Sequence, residues 1–220
     1  MARRRVGVLV SGSGSNLQAL LDAAAAPEAP FEIVLVLANR PDAYGLERAR
    51  LAGIEARLID HRSFAGRETF EAALDAALRE AGVEIVCLAG FMRVLTAGFV
   101  EGWTGRMLNI HPSLLPSFRG LHTHARALAG SCAVAGCTVH LVTPDLDAGP
   151  VVVQGLVPVL PGDTPESLAA RTIEVEHRAY PRALAMLAED RVRLEEGRAT
   201  LADERPGERL LLHPLLAGMA

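Results

Sequence analysis

Val6–Val10 (VGVLV) runs straight into Ser11-Gly12-Ser13-Gly14-Ser15-Asn16, and that loop runs straight into Leu17–Ala26 (LQALLDAAAA). This succession constrains the fold more than any other stretch of the chain. An unbroken apolar run without alternation is what a central parallel strand, buried on both faces, requires. The segment after the loop has strong helix propensity, with apolar residues at Leu17, Leu20 and Leu21. Strand, glycine loop and helix in immediate succession aim backbone N–H groups and a helix N-terminus at one point, where an anion is stabilised. Glycine permits close backbone approach and positive φ, while the serines and Asn16 add donors. The loop has neither the Lys of a Walker A motif nor G-x-G-x-x-G spacing. A phosphomonoester therefore suits it better than a nucleoside triphosphate or a dinucleotide. Taken alone, a plain strand-to-helix turn with an N-cap accounts for these residues about as well.

The pattern then repeats. Phe31–Ala38 reads as a second strand, Asn39–Ala43 as a turn, and Tyr44–Ala52 as a helix closed by Gly53. Glu55–Ile59 is a short third strand. Arg67–Ala81 is an amphipathic helix stopped by Gly82, and Val83–Ala89 is another buried strand. Alternation with short connections predicts right-handed βαβ units in an α/β fold. The expected architecture is a doubly wound, mostly parallel, Rossmann-like sheet with helices on both faces. After Pro150 the pattern changes. Val151–Val159 reads as a strand interrupted at Gly155 and Pro158, at a sheet edge. Thr164 to about Glu189 reads as one long helix, with Asp163 or Thr164 as N-cap, Pro165 in the first turn and Pro181 as a kink or boundary. Val192–Leu194 and Thr200–Leu201 suit a small hairpin, and Asp203–Ala220 carries no legible function.

Half of the 220 residues are hydrophobic, enough for a sizeable core. The formal net charge of −4, with no long basic run, disfavours duplex nucleic acid as the partner. Cys87, Cys132 and Cys137 make an odd count, which fits a reducing compartment without a disulfide framework. Val6–Val10 is too short for a signal-peptide core, and Leu17–Ala26 is helix length rather than membrane-span length. A cytoplasmic protein with no membrane partner is expected.

The chemistry concentrates between Leu108 and Pro150. If Met107–Ile110 is a strand stopped by Pro112, period-2 alternation puts Asn109 and His111 on one face. A second apolar run, Thr138–Thr143, leads to a turn that carries Asp147. An amide, an imidazole and a carboxylate thus stand at strand ends, where open α/β sheets place their sites. Each alone reads equally as a residue that hydrogen-bonds turn backbone. Gly90–Leu95, at the end of another strand, is an apolar loop with one Arg. It suits a flat aromatic ligand, or simply packs on the next helix. His122, His124, Cys132, Cys137 and His140 invite a zinc reading, but Cys-x4-Cys without a clear fourth ligand is a weak metal signal, and no metal is expected.

Five blocks in order closely resemble the phosphoribosylglycinamide formyltransferases, a folate-dependent branch of the formyltransferase superfamily in purine synthesis. They are Val8–Leu17 (VLVSGSGSNL), Ala89–Arg93 (AGFMR), Asn109–Pro116 (NIHPSLLP), Gly120–His124 (GLHTH) and Asp145–Pro150 (DLDAGP). The resemblance covers about Val6 to Arg193 and implies a catalytic domain over residues 1–193, with 194–220 as an extension. NIHPSLLP marks the wider superfamily; the Gly-Ser-Gly-Ser-Asn loop and GLHTH narrow it. The resemblance implies that Gly12, Ser13, Gly14, Ser15, Asn16 and Glu176 hold the ribonucleotide. It puts 10-formyltetrahydrofolate, as cosubstrate, against Arg67, Met92, Arg93, Val94, Leu95, Asn109, Thr143, Pro144, Asp145, Leu146 and Asp147. Asn109, His111 and Asp147 match the catalytic trio. Implied partners are small molecules, with the protein a monomer or homodimer. Arg119 before Gly120 resembles methionyl-tRNA formyltransferase instead, but the residues after Arg193 are too few for the RNA-binding domain expected there.

Overall fold

The computed structural model describes residues 2–195 and 197–217. An eight-stranded sheet organises it, built from β1 (Arg4–Val10), β2 (Phe31–Ala38), β3 (Glu55–Leu58), β4 (Ile85–Leu88), β5 (Met107–His111), β6 (Val134–Leu141), β7 (Val151–Pro158) and a late β10 (Leu210–Leu212), in the order β10-β7-β6-β5-β4-β1-β2-β3. Only β6 runs against its neighbours; the other pairings are parallel. The doubly wound, mostly parallel sheet read from the sequence is the one observed.

Alternation along β1 feeds two cores. Val6, Val8 and Val10 pack with Leu17, Leu20 and Leu21 of α1 (Ser15–Ala24), Leu46 and Ala49 of α2 (Gly45–Leu51), and the buried stripe of α6 (Pro165–Ala188). Leu9 packs on the opposite face with Phe70, Leu74 and Leu78 of α3 (Arg67–Glu80), Phe99 of α4 (Ala97–Gly102) and Trp103. Gly7 lies on that second face because a Cβ there would stand 2.5 Å from Leu78 Cδ2. The chain moves from β1 to β2 and β3 on one side, then returns to β4 and β5 on the other. The reversal opens a crevice at the carboxyl ends of β1 and β4, where ligands of open α/β sheets bind.

The structure corrects two expectations, both about β7. β7 is neither interrupted nor an edge. It is continuous over Val151–Pro158 and is covered by β10, whose Leu210–Leu212 pairs with Gln154–Leu156. Gly155 is there for packing, since a Cβ would overlap Val175 Cγ1 and come within 3.0 Å of Cys137 Sγ. Pro181 does not end α6, which continues through it to Ala188. Tyr180, just before it, is fully buried and shares its hydroxyl between the carbonyls of Leu88 (3.0 Å) and Leu108 (3.1 Å). Thr164 is the N-cap, accepting from Ser167 N, and Pro165 opens the helix. The expected hairpin forms as β8 (Val192–Glu195) and β9 (Arg198–Leu201). A short 3-10 turn (His61–Ser63), α5 (Thr123–Ala129) and a last turn, α7 (Pro214–Ala217), complete the described elements. Among the described residues no helix is long and apolar enough to cross a membrane.

Where β6 and β7 pair, Gly136 stands opposite Leu156, and a Cβ on it would overlap the carbonyl oxygen of the adjoining Gly155 and lie 2.8 Å from Leu114 Cδ2. Backbone cannot yield as a side chain does. Gly136→Ala is expected to cost about 2–3 kcal/mol, read as a lower urea midpoint; an unchanged midpoint would contradict this packing.

Candidate active site

The loop after β1 is pinned from behind. Gly45 N donates to Gly12 O at 3.1 Å, and Arg48 Nε donates to Ser13 O at 2.8 Å. Both carbonyls therefore turn toward α2. Across planar trans peptides, the N–H groups of the next residues point the other way. Gly14 sits at φ 70°, and a Cβ there would stand 2.9 Å from Gly45 Cα, so glycine is required for both conformation and contact. Gly14 is also the N-cap of α1 and offers no side-chain acceptor, which leaves first-turn amides for a ligand.

Asn16 and Glu176 meet beside this loop. Asn16 Nδ2 donates to Glu176 Oε2 at 2.7 Å, while Asn16 Oδ1 is buried without a partner. Burial pushes the Glu176 carboxyl above its ordinary value, and the Asn16 bond offsets part of that. An orphaned acceptor next to a buried acid suits a polar ligand with donors.

The second loop, Phe91–Leu95, leaves β4. Leu95 is buried, but Met92 is 65% and Val94 56% exposed. Leu121 and Leu146, on the loops around Asp147, are also exposed. Exposed apolar side chains on the loop after β4 and on the loops around Asp147 fit a flat, largely apolar ligand. Thr143 is half-buried, and Pro144 and Asp145 are exposed on the same loop as Leu146. Arg93 is exposed too. Arg67 stands exposed at the first position of α3.

Between the two loops, β5 carries Asn109 and His111. His111 Nδ1 lies 3.4 Å from Asp147 Oδ2, and both side chains are buried. His111 Nε2 faces Phe118 O at 3.1 Å. Asp147 has φ 49° and also accepts Gly120 N at 2.9 Å, so a strained backbone conformation is held from two sides. Sequence alternation thus brings Asn109 and His111 together as expected, and the 142–150 loop returns Asp147 to them.

One participant was not legible in the sequence. The antiparallel register places His140 opposite Asn109. His140 Nδ1 donates to Leu141 O at 3.0 Å, which leaves Nε2 as an acceptor for Asn109 Nδ2 at 3.1 Å. Burial lowers the His140 pKa, with its carbonyl partner and Asp147 acting against that. A neutral ring fixes the Asn109 amide with its nitrogen toward β6 and one N–H to spare. The signal would have been the pairing of β5 with β6, which no local pattern specifies. The other zinc candidates do not gather: among the described residues no group of three or more His, Cys, Asp or Glu could hold a metal ion.

The fold and this strand-end cluster define a formyl transferase: residues 4–184 match the Formyl transferase family, and the chain belongs to it. It is 43% identical over 198 residues to phosphoribosylglycinamide formyltransferase of Escherichia coli K12, covering 90% of this chain and 93% of that one. It superposes on glycinamide ribonucleotide transformylase 1 from Symbiobacterium toebii with a TM-score of 0.89 at 47% identity, covering 91% and 95% of the two chains. It is also 49% identical over 194 residues to the bovine trifunctional purine biosynthetic protein adenosine-3, covering 88% of this chain. The chain spans only about a fifth of that longer protein's length (19%).

Glu176→Gln separates ligand binding from stability. A carboxyl raised on folding contributes stability that is present below its ordinary value of 4.5 and lost as pH rises through the folded value. The Gln variant keeps the acceptor for Asn16 and escapes that loss. Its Tm is expected above wild type at pH 8, with the difference vanishing below about pH 4.5. A Tm difference that does not change with pH would contradict the burial argument.

Proposed function

We propose that the chain transfers the formyl group of 10-formyltetrahydrofolate to the primary amine of glycinamide ribonucleotide. The observation that carries this reading is the placement of an outward-facing amide loop, an apolar loop and the Asn109–His111–Asp147 cluster around one crevice. The phosphate is held by the amides and side chains of Gly12–Asn16, with Glu176 and Asn16 on the polar body of the ribonucleotide. The pterin lies against Met92–Leu95 and Thr143–Asp147, and Arg67 serves the folate. The amine is thereby aimed at the formyl carbon, and positioning of this kind supplies much of the rate.

In the reaction the amine nitrogen bonds to the formyl carbon, and the bond from that carbon to the folate nitrogen breaks. The amine loses a proton and the folate nitrogen gains one. Negative charge develops on the formyl oxygen. The spare Asn109 N–H donates to it, and His111 Nε2–H does so when the oxygen displaces the Phe118 carbonyl. Asp147 stabilises the imidazolium of His111 and, with it, relays the proton between the two nitrogens, directly or through water. No covalent enzyme intermediate is required. The catalytic unit is residues 1–193, acting in the cytoplasm as a monomer or homodimer.

The supporting comparisons are the names of the relatives: phosphoribosylglycinamide formyltransferase in Escherichia coli and in Haemophilus influenzae. The test is formyl transfer to glycinamide ribonucleotide, to its dephosphorylated nucleoside and to water. Fast transfer to the ribonucleotide alone is expected; equal rates with all three would mean a hydrolase. His111→Ala is expected to lower kcat by about 10²–10⁴-fold with folate binding retained. Retained activity in that variant would remove His111 from the reaction.

A further inference from the structure

Ser11 follows β1 and opens the glycine loop. It is only 5% exposed, and Asn39, just beyond β2, is 1% exposed. The Ser11 hydroxyl donates to Asn39 Oδ1 at 2.7 Å and accepts the Met92 backbone N–H at 2.8 Å. These directions are forced, because a carbonyl oxygen only accepts and a peptide N–H only donates. Asn39 is held in turn, its backbone carbonyl 2.9 Å from His61 Nδ1. A single buried oxygen therefore joins the first residue of one loop to the exposed heart of the other, across the crevice between β1 and β4.

The Phe91–Leu95 loop has a second anchor. Glu71 of α3 accepts both the backbone N–H of Thr96, at 2.9 Å, and the Thr96 hydroxyl. That anchor has no connection to the glycine loop. The two ends of the same loop thus differ: one is tied to the ribonucleotide side of the site, the other only to a helix on the far face.

We propose that Ser11 is a positioning residue that couples the two substrate sites. A phosphate seated on Gly12–Asn16 fixes the peptide next to Ser11. Its hydroxyl then fixes the Met92 peptide, so the folate loop meets its ligand already ordered. The effect is reciprocal, because each ligand must tighten the other by the same factor. The inference rests on the assignment of the two loops under Proposed function.

The experiment measures the Kd of tetrahydrofolate by calorimetry, with and without saturating glycinamide ribonucleotide. Wild type is expected to bind tetrahydrofolate at least about fivefold more tightly when the ribonucleotide is present. In Ser11→Ala that factor falls below about twofold. Thr96→Ala loosens the other anchor; it weakens tetrahydrofolate binding but keeps the wild-type factor. If Ser11→Ala does not fold, Ser11→Cys keeps the volume with a poor acceptor and carries the same expectation. A wild-type factor near one, or an unchanged factor in the Ser11 variant, overturns the coupling alone. Wild-type protein that binds neither ligand overturns the loop assignment and the coupling with it.

Discussion

The reversal of β6 against β5 is the interaction on which the rest of the site depends. A parallel strand at that place would present a different residue to Asn109. Antiparallel pairing puts His140 opposite it and lets the chain after Leu141 loop out and return. The return is closed by Leu141 N donating to Pro150 O at 2.9 Å, and by Gly149, whose missing Cβ makes room for the Leu141 carbonyl. Within that closed loop Asp147 is forced into a left-handed conformation and set against His111. One sheet pairing thereby orients the amide and delivers the carboxylate. The arrangement of Asn109, His111 and Asp147 is thus a property of the backbone, and under the proposed function it is the preorganisation that electrostatic catalysis requires.

Two buried polar pairs illustrate different uses of burial. His140 is kept neutral, and a neutral ring is the only form that can accept from Asn109 while donating to Leu141 O. Glu176 is buried against a single amide, so its charged form is disfavoured and Asn16 is left with an unpaired oxygen. The first pair is satisfied and rigid. The second leaves a buried acceptor unpaired, and under the proposed function the ribonucleotide supplies its donor, so stability is given up where a substrate would restore it.

Much of this was legible in the sequence, for physical reasons. Continuous apolar runs, the glycine loop and helix-breaking glycines are local signals, and they yielded the strands and helices of the first half closely. Asn109 and His111 share a face because strand alternation is local too. What failed was non-local. Nothing in Val151–Val159 says that Leu210–Leu212 will cover its edge. His140 read as a stray metal candidate because its meaning lies in a register with β5. Ser11 read as a phosphate donor, whereas its hydroxyl turns inward to Asn39 and Met92. Glu71 carries no signal of its own in the sequence, yet it is buried and accepts the Thr96 backbone N–H.

The central claim is that one crevice, between the loops after β1 and β4, holds a phosphate and a pterin with Asn109, His111 and Asp147 between them. A crystal structure of the protein with glycinamide ribonucleotide and tetrahydrofolate tests it most directly. The account predicts the phosphate on the amides of Gly12–Asn16, the pterin against Met92–Leu95, and the amine within hydrogen-bond reach of Asn109 or His111. A phosphate bound elsewhere, or an amine held away from all three residues, would contradict it.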